Sequence, residues 1–410
     1  MGRGINPRPI RLPLGIEWGD MDRPPPWIEP RTAYIHIPFC AHHCGYCDFA
    51  VAAGQDHLIE LYLDALATEL ATLGRPRPVE TLFIGGGTPT YLTTNQLTHL
   101  LATIRDWLPL TPPPGERPEY SIESTPDSLT EEKAAVLARF GVNRVSIGVQ
   151  SFRPDLLSAL DRRHTTAEIP RAVEAVRHHI PTLSFDLIFA APGATLAAWE
   201  GDLDAALQYA PEHISTYGLT YEKGTPLWKQ RSRGQVQAVD EEAELAMYES
   251  AIHRLTGAGF EHYEISNFAR PGWRCRHNER YWANEAYYGF GVGAARYIAG
   301  QRETNTRDTK LYVRRVLSGE SPTFQSECLG PRERAFETIA TQLRRVDGIG
   351  RTPFRKQTGL DLDELVGDRL RHLTAEGIVD NSSGDRVRLT HRGMCVADGV
   401  IEDLMKEMAH

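Results

Sequence analysis

The sequence predicts an α/β fold, a partial (β/α)6 barrel followed by a smaller winged-helix-like α+β domain. Short apolar strands alternate with helical segments between residues 31 and 260, and this alternation is typical of a parallel sheet. Crossovers between parallel strands are right-handed, which would curl six such units into an open barrel. Beyond residue 331 the pattern changes to helices followed by a hairpin, which indicates a separate domain.

Six strands are predicted from short runs rich in β-branched and aromatic residues, at 34–37, 81–84, 119–123, 144–150, 183–188 and 213–217. Helices are predicted between them because apolar residues recur every three or four positions, as from Ile59 to Leu73 and from Leu97 to Ile104. A further helix, from about residue 131 to 140, is predicted to end at Gly141. The pattern does not indicate the two additional repeats that a full eight-unit barrel would need.

The chain divides into four segments. Residues 1–30 are rich in proline and glycine and lack periodicity, so they are predicted to form an extended arm. Residues 31–260 are the predicted barrel, and residues 261–330 form a dense polar and aromatic tract. Residues 331–410 are the predicted winged-helix-like domain, in which a helix leads into a hairpin at about 379–390.

Composition narrows the classes of function. The 410 residues include 45 Lys and Arg against 54 Asp and Glu, a net charge of −9, which argues against nucleic-acid binding because phosphate neutralisation needs clustered basic residues. No apolar run is long enough to cross a bilayer, and the N-terminus lacks the apolar core of a secretion signal. Three of the six cysteines lie close together, which indicates a metal site in a reducing cytoplasm rather than a disulfide framework.

The clustered cysteines follow the first predicted strand directly. Cys40, Cys44 and Cys47 have a Cys-x3-Cys-x2-Cys spacing. Three thiolates can hold a [4Fe-4S] cluster but leave one of its four irons open to a small molecule. A zinc site is the alternative, with His42 or His43 as the fourth ligand.

Other polar or glycine-rich positions follow other predicted strands. Gly85–Thr88 follow the second strand, Glu123 ends the third and Gln150 ends the fourth. The carboxyl ends of parallel barrel strands form one face, where active sites are built. The sequence therefore predicts that these residues and the cysteine loop share one site.

The motif Tyr-x-His-Ile-Pro-Phe-Cys-x3-Cys-x-Tyr-Cys at 34–47 resembles the radical S-adenosylmethionine (SAM) superfamily. It resembles most the branch that contains the oxygen-independent coproporphyrinogen III oxidases and the HemW-type heme chaperones. This resemblance implies a radical SAM barrel, a [4Fe-4S] cluster on the three cysteines, SAM on the open iron and an electron donor. The positions that match SAM contacts of the family, for one or two SAM molecules, are Tyr34, Tyr46, Gly86, Gly87, Thr88, Glu123, Gln150, Arg162 and Asp186.

Two features distinguish the branches. The oxidases have a fourth cysteine two residues after the third, and Phe49 holds that place here. The run His277–Trp282 resembles the His-Asn-x-x-Tyr-Trp signature of the HemW type, so residues 261–330 are interpreted as a HemW-type extension. The resemblance implies that His277, Asn278, Tyr281 and Trp282 contact heme, because histidine can ligate its iron and flat aromatic rings can stack on it. Cys275 is a competing iron ligand, and a hydrogen-bonded structural histidine is the alternative interpretation.

The function expected from the resemblance is that of a heme chaperone. Such a protein would bind heme and deliver it to a heme-accepting respiratory protein at the membrane, while being cytoplasmic or peripheral to the membrane itself, with a homodimer as one expected assembly. The alternative is an oxidase that decarboxylates coproporphyrinogen III to protoporphyrinogen IX. The sequence departs from the family pattern at Ala190–Pro192, which stands in place of Gly-Leu-Pro, and at Gly291–Arg296.

Overall fold

A nine-stranded sheet organises the first three quarters of the protein. The computed structural model describes residues 24–409, so most of the predicted N-terminal arm (1–30) lies outside the described residues; residues 24–30 form a turn in which Ile28 is buried. The strands of the sheet are β1 (Thr32–Ile37), β2 (Thr81–Gly86), β3 (Glu119–Ser124), β4 (Arg144–Gln150), β5 (Thr182–Phe189), β6 (His213–Gly218), β7 (Glu261–Glu264), β8 (Asn267–Ala269) and β9 (Tyr288–Phe290). Their order is β7-β8-β6-β5-β4-β3-β2-β1-β9.

Strands β1 to β6 pair in parallel in sequence order, which confirms the predicted (β/α)6 arrangement. The sheet is extended at both edges by the segment 261–330: β8 pairs antiparallel with β6, and β9 pairs in parallel with β1. Helices pack around this sheet: α1 (Ile59–Ala71), α2 (Thr94–Trp107), α3 (Glu131–Arg139), α4 (Pro154–Ala159), α5 (Ile169–His179), α6 (Leu196–Gln208), α7 (Pro226–Ser232), α8 (Glu241–Gly257), α9 (Arg276–Trp282) and α10 (Thr309–Leu317).

Helix α2 illustrates how local sequence sets these elements. It begins after Thr93, whose hydroxyl accepts from the Gln96 N–H at 3.3 Å while the Gln96 side chain accepts from the Thr93 N–H at 3.0 Å, a capping box. The buried residues of the helix recur at helical spacing and face the sheet: Leu97, Leu100, Leu101 and Ile104. The same core runs from β1 to α10, so the barrel and the segment 261–330 share one hydrophobic interior.

The C-terminal residues form a domain with its own core, as predicted. A three-stranded antiparallel sheet, β10 (Ala295–Ile298), β11 (Gln301–Asn305) and β12 (Thr323–Cys328), precedes it. The domain comprises α11 (Pro331–Gln342), β13 (Ile349–Gly350), α12 (Arg351–Thr358), α13 (Leu362–Ala375), β14 (Val379–Asp380), β15 (Arg386–Leu389), α14 (His391–Cys395) and α15 (Ala397–Met405). The predicted hairpin is present, with Val379 opposite Leu389. No helix within residues 24–409 is both long and apolar enough to span a membrane.

Candidate functional site

The cysteine loop leaves the carboxyl end of β1 and folds tightly. The Cys47 N–H donates to the Cys44 carbonyl at 3.1 Å, and the loop is tied to α7 by a hydrogen bond from the Leu227 N–H to the Gly45 carbonyl at 2.8 Å. Cys40 is buried and the other two cysteines are half-buried. Burial raises the pKa of Cys40 to about 12 and that of Cys47 to about 11, so a metal that binds here must displace their protons.

The donor set of this loop suits an iron–sulfur cluster better than a single zinc ion. Zinc draws its ligand atoms to within about 2.3 Å of the metal. The sulfurs of Cys40, Cys44 and Cys47 do not all lie within 4.8 Å of one another, so they are too far apart to share a single zinc ion as they stand. The two loop histidines also have other neighbours. His42 Nε2 lies 3.0 Å from an Asp161 carboxylate oxygen, and His43 Nε2 lies 2.9 Å from the Cys47 carbonyl.

The glycine turn after β2 is packed against this loop. Gly86 has φ +114°, and a Cβ there would lie 2.5 Å from the His36 ring; a Cβ on Gly87 would lie 2.6 Å from the Pro38 carbonyl. The Gly87 N–H donates to the Ile37 carbonyl and the Thr88 N–H to the Phe39 carbonyl, both at 2.8 Å. The close approach that these glycines permit is therefore to the β1 end and cysteine loop of the chain itself.

Two buried carboxyl groups lie on β3 and β5, the strands on either side of β4. Glu123 Oε2 accepts from the Gly86 N–H at 2.7 Å, and burial raises its pKa to about 7. Asp186 Oδ1 accepts from the Ser146 hydroxyl at 2.9 Å, and burial raises its pKa as well. Glu123 can therefore gain or lose a proton near neutral pH, and Asp186 keeps its proton to a higher pH than an exposed aspartate does.

Gln150 stands at the end of β4 in a strained backbone conformation. Its φ is +64°, a region that residues other than glycine seldom occupy, and the pairing register of β4 with β5 shifts just before it. Its Oε1 atom is buried without a hydrogen-bond partner among the described residues. Strain and an unpaired polar atom at a strand end are typical of ligand sites.

A cavity of about 570 Å³ lies inside the barrel, and its lining runs from the first residues of β4 and β6, Arg144 and His213, to the loop after β1. This volume is typical of small-molecule and cofactor sites. Asp48, Phe49 and Ala50, which follow the cysteines, form part of its wall. Of the predicted site residues, those that line it are Tyr34, Glu123, Asp186, His277, Asn278 and Tyr281. The other predicted residues lie outside its wall: Tyr46, Gly86, Gly87, Thr88, Gln150, Arg162 and Trp282. The Trp282 ring lies 5.8 Å from the Arg344 guanidinium carbon instead.

His277 lies in the cavity wall, nearly completely buried, at the start of α9. Its Nδ1 lies 2.7 Å from the Thr32 hydroxyl and 3.2 Å from the Thr81 hydroxyl, whereas Nε2 is buried without a partner among the described residues. Burial lowers its pKa to about 3, so the ring is neutral. A neutral imidazole with one nitrogen held and the other unpaired has the properties of a metal ligand.

The cavity wall also contains residues that the sequence-based reasoning missed. They recur at every second position of the strands: His36, Arg144, Ser146, Ser184, His213, Ser215 and Tyr217. Inward-facing residues of a barrel strand alternate with outward-facing ones, so polar residues two positions apart were the available signal. His213 is fully paired, with Nδ1 2.8 Å from the Ser184 hydroxyl and Nε2 2.7 Å from the Tyr263 hydroxyl.

Comparisons with known proteins agree with this architecture. A family model described as the radical SAM superfamily matches residues 34–206, and one described as the HemN C-terminal domain matches residues 329–396. The chain is 36% identical over 383 residues to the heme chaperone HemW of Bacillus subtilis, covering 92% of this chain and 100% of that protein. It is 31% identical over 387 residues to the heme chaperone HemW of Escherichia coli, covering 93% and 99%.

Among solved structures, coproporphyrinogen III oxidase (HemN) from Escherichia coli superposes with a TM-score of 0.78. The match covers 92% of this chain and 90% of that one, at 22% sequence identity. At this identity the match establishes a common fold and carries no argument about activity.

Proposed function

We propose that this chain, which belongs to the HemW family of radical SAM proteins, is a heme chaperone that binds heme in the cavity and passes it to an acceptor hemoprotein. Membership of the radical SAM superfamily implies a [4Fe-4S] cluster and SAM as cofactors. The heme, its contacts and its acceptor are the proposed part.

The residues at the strand ends suit the two cofactors. Cys40, Cys44 and Cys47 would hold the cluster, and Glu123 would accept hydrogen bonds from the ribose hydroxyls of SAM. The strained Gln150 and the remaining predicted SAM residues would complete the SAM site. Bound together, the cluster and SAM supply one-electron chemistry at the sulfonium.

Heme binding rests on one observation, the buried and unpaired Nε2 atom of the neutral His277 in the cavity wall. Thr32 holds the other ring nitrogen and so fixes the orientation of the ring. Asn278 and Tyr281 adjoin it in the same wall, which places a polar group and an aromatic ring beside the proposed iron ligand. Cys275 is a weaker candidate, because burial raises the pKa of its thiol and its sulfur lies 3.6 Å from the Glu119 carboxyl.

The partners and setting follow from this role. We propose two partners, a respiratory acceptor protein at the membrane and an electron donor for the cluster. The proposed location is cytoplasmic or peripheral to the membrane. The acidic composition, with 54 Asp and Glu against 45 Lys and Arg, supports a protein or small-molecule partner rather than nucleic acid. Self-association into a homodimer is a further part of the proposal.

Oxidative decarboxylation of coproporphyrinogen III is the second candidate, because the cysteine motif at 34–47 resembles the branch that also contains the oxidases. Phe49, which replaces the fourth cysteine of the oxidases and is 64% exposed at the cavity wall, favours the chaperone. The test is to incubate the cluster-loaded protein anaerobically with SAM, a reductant and coproporphyrinogen III, with Cys44→Ala as the blank. We expect no protoporphyrinogen IX above the blank. Its formation over many turnovers would overturn the chaperone proposal in favour of the oxidase.

A further inference from the structure

A second set of metal-ligand side chains lies far along the chain from the cysteine loop. His391 and Cys395 are four residues apart on α14, so both project from one face of that helix. Glu249 on α8 lies opposite, with its Oε1 3.5 Å from His391 Nε2. One ligand atom from each of the three side chains lies within 4.8 Å of the others. We propose that Glu249, His391 and Cys395 bind a zinc ion that joins the C-terminal domain to the barrel.

The donor types select zinc among common divalent cations. Thiolate, imidazole and carboxylate are the three ligand classes that zinc accepts in tetrahedral sites, whereas magnesium and calcium require oxygen ligands. A thiolate and a carboxylate together balance the charge of the ion. The side chains of His391 and Glu249 are 59% and 51% exposed, which leaves room for a water molecule as the fourth ligand.

The position of the three residues gives the ion a structural role. Met394 packs in the core of the C-terminal domain, and the next residue, Cys395, packs against the core of the barrel. Helix α14 therefore bridges the two cores, and Glu249 approaches it from the barrel side. An exposed histidine–carboxylate pair contributes little by itself, so a shared ion would strengthen the contact between α8 and α14.

The test uses the full chain loaded with its [4Fe-4S] cluster, so that the three loop cysteines are occupied. Zinc binding is measured anaerobically by competition with a chromophoric chelator, with iron content recorded in parallel. We expect one zinc per chain in addition to the iron. Loss of a residue that only hydrogen-bonds to a metal ligand already lowers metal affinity about 10- to 100-fold. Loss of a ligand should cost at least as much. We therefore expect zinc binding to weaken at least about tenfold in each of three variants: Cys395→Ser, His391→Ala and Glu249→Gln.

Cys328→Ser is the matched control, since Cys328 is an exposed thiol on β12 outside this group; it should bind zinc as the wild type does. Zinc should also raise the unfolding temperature of the wild type and not that of Cys395→Ser, because a ligand of the native state stabilises it. Absence of bound zinc in the cluster-loaded wild type would overturn the proposal. Equal zinc affinity in the wild type, Cys395→Ser and Glu249→Gln would overturn it as well.

Discussion

The Arg162 guanidinium donates a hydrogen bond to the Cys44 thiol, with Nη1 3.4 Å from Sγ. Its Nη2 atom is anchored at the same time to the Gly148 carbonyl at 2.8 Å. Arg162 therefore connects the cysteine loop to the end of β4, next to the strained Gln150. A fixed positive charge beside one cluster ligand has consequences for redox potential, since net charge and hydrogen bonds to the sulfurs tune such clusters.

Arg162→Ala should lower the reduction potential of the cluster. The guanidinium favours the more negatively charged reduced state, and loss of a charge-assisted hydrogen bond of about 1.4 kcal/mol corresponds to a shift of about 60 mV. A redox titration followed by electron paramagnetic resonance measures the shift. Arg163→Ala, an exposed neighbour, is the control and should leave the potential unchanged; equal potentials in wild type and Arg162→Ala would contradict the assigned role.

SAM affinity should fall as the pH drops below about 7, the pKa to which burial raises Glu123. The ionised carboxylate is the better acceptor for ribose hydroxyls, and its population falls about tenfold for each pH unit below the pKa. Calorimetric titration with SAM between pH 6 and pH 8 should therefore show roughly tenfold weaker binding at the lower pH. Glu123→Gln should bind more weakly at pH 8 and lose this part of the pH dependence, and an unchanged profile in that variant would refute the role of Glu123.

Glu264 should make the fold less stable as the pH rises from about 4.5 to 7. Burial raises its folded-state pKa to about 7, so the folded protein retains a proton that the unfolded chain releases, and the stabilisation present at low pH is lost on passing through this range. Glu264→Gln should remove this loss of stability, so its free energy of unfolding at pH 8 should exceed that of the wild type by up to about 3 kcal/mol. Urea unfolding at pH 5 and pH 8 tests this, with the exposed Glu132→Gln as the control; a gain of equal size at both pH values would argue against it.

Ala190 stands where the family pattern has glycine, and Ala190→Gly tests what this difference does to stability. Its φ is +57°, where glycine would relieve about 1–2 kcal/mol of backbone strain. That gain is offset by the entropy of glycine and the lost methyl contact, each about 0.5–1 kcal/mol. Ala190→Gly should thus be nearly neutral, whereas Ala191→Gly, with no such strain to relieve and a fully buried methyl, should destabilise by about 1–2 kcal/mol. Chemical unfolding compares the two, and similar losses would contradict the strain argument.

The periodic parts of the fold were predictable from the sequence. Strands β1 to β6 and their helices have strong local patterns, and helix α3 was predicted within one residue of its observed end at Arg139. Strand β9 was not, because Tyr288–Phe290 has only three residues and pairs with β1 far away in the sequence. Such pairing depends on tertiary contacts that a local pattern does not contain.

The site was predictable to a similar degree. The cysteine spacing, the strand-end position of Glu123 and the family resemblance at Asp186 identified one side of the cavity. The histidines inside the barrel, His36 and His213, were missed because a single histidine in a six-residue strand forms no spacing motif by itself. The placement of Trp282 beside Arg344 depends on packing against the C-terminal domain, so the motif alone could not locate it.

The most direct test of the account is an anaerobic heme titration of the cluster-loaded protein and of His277→Ala, followed by the Soret absorption. The wild type should bind one heme per chain saturably. His277→Ala should bind heme at least about tenfold more weakly, because the iron loses its ligand. His253→Ala, which changes an exposed histidine of α8, should bind heme as the wild type does. Thermal unfolding confirms that each variant is folded. Absence of a Soret band in the wild type, or an unchanged heme affinity in folded His277→Ala, would contradict the account.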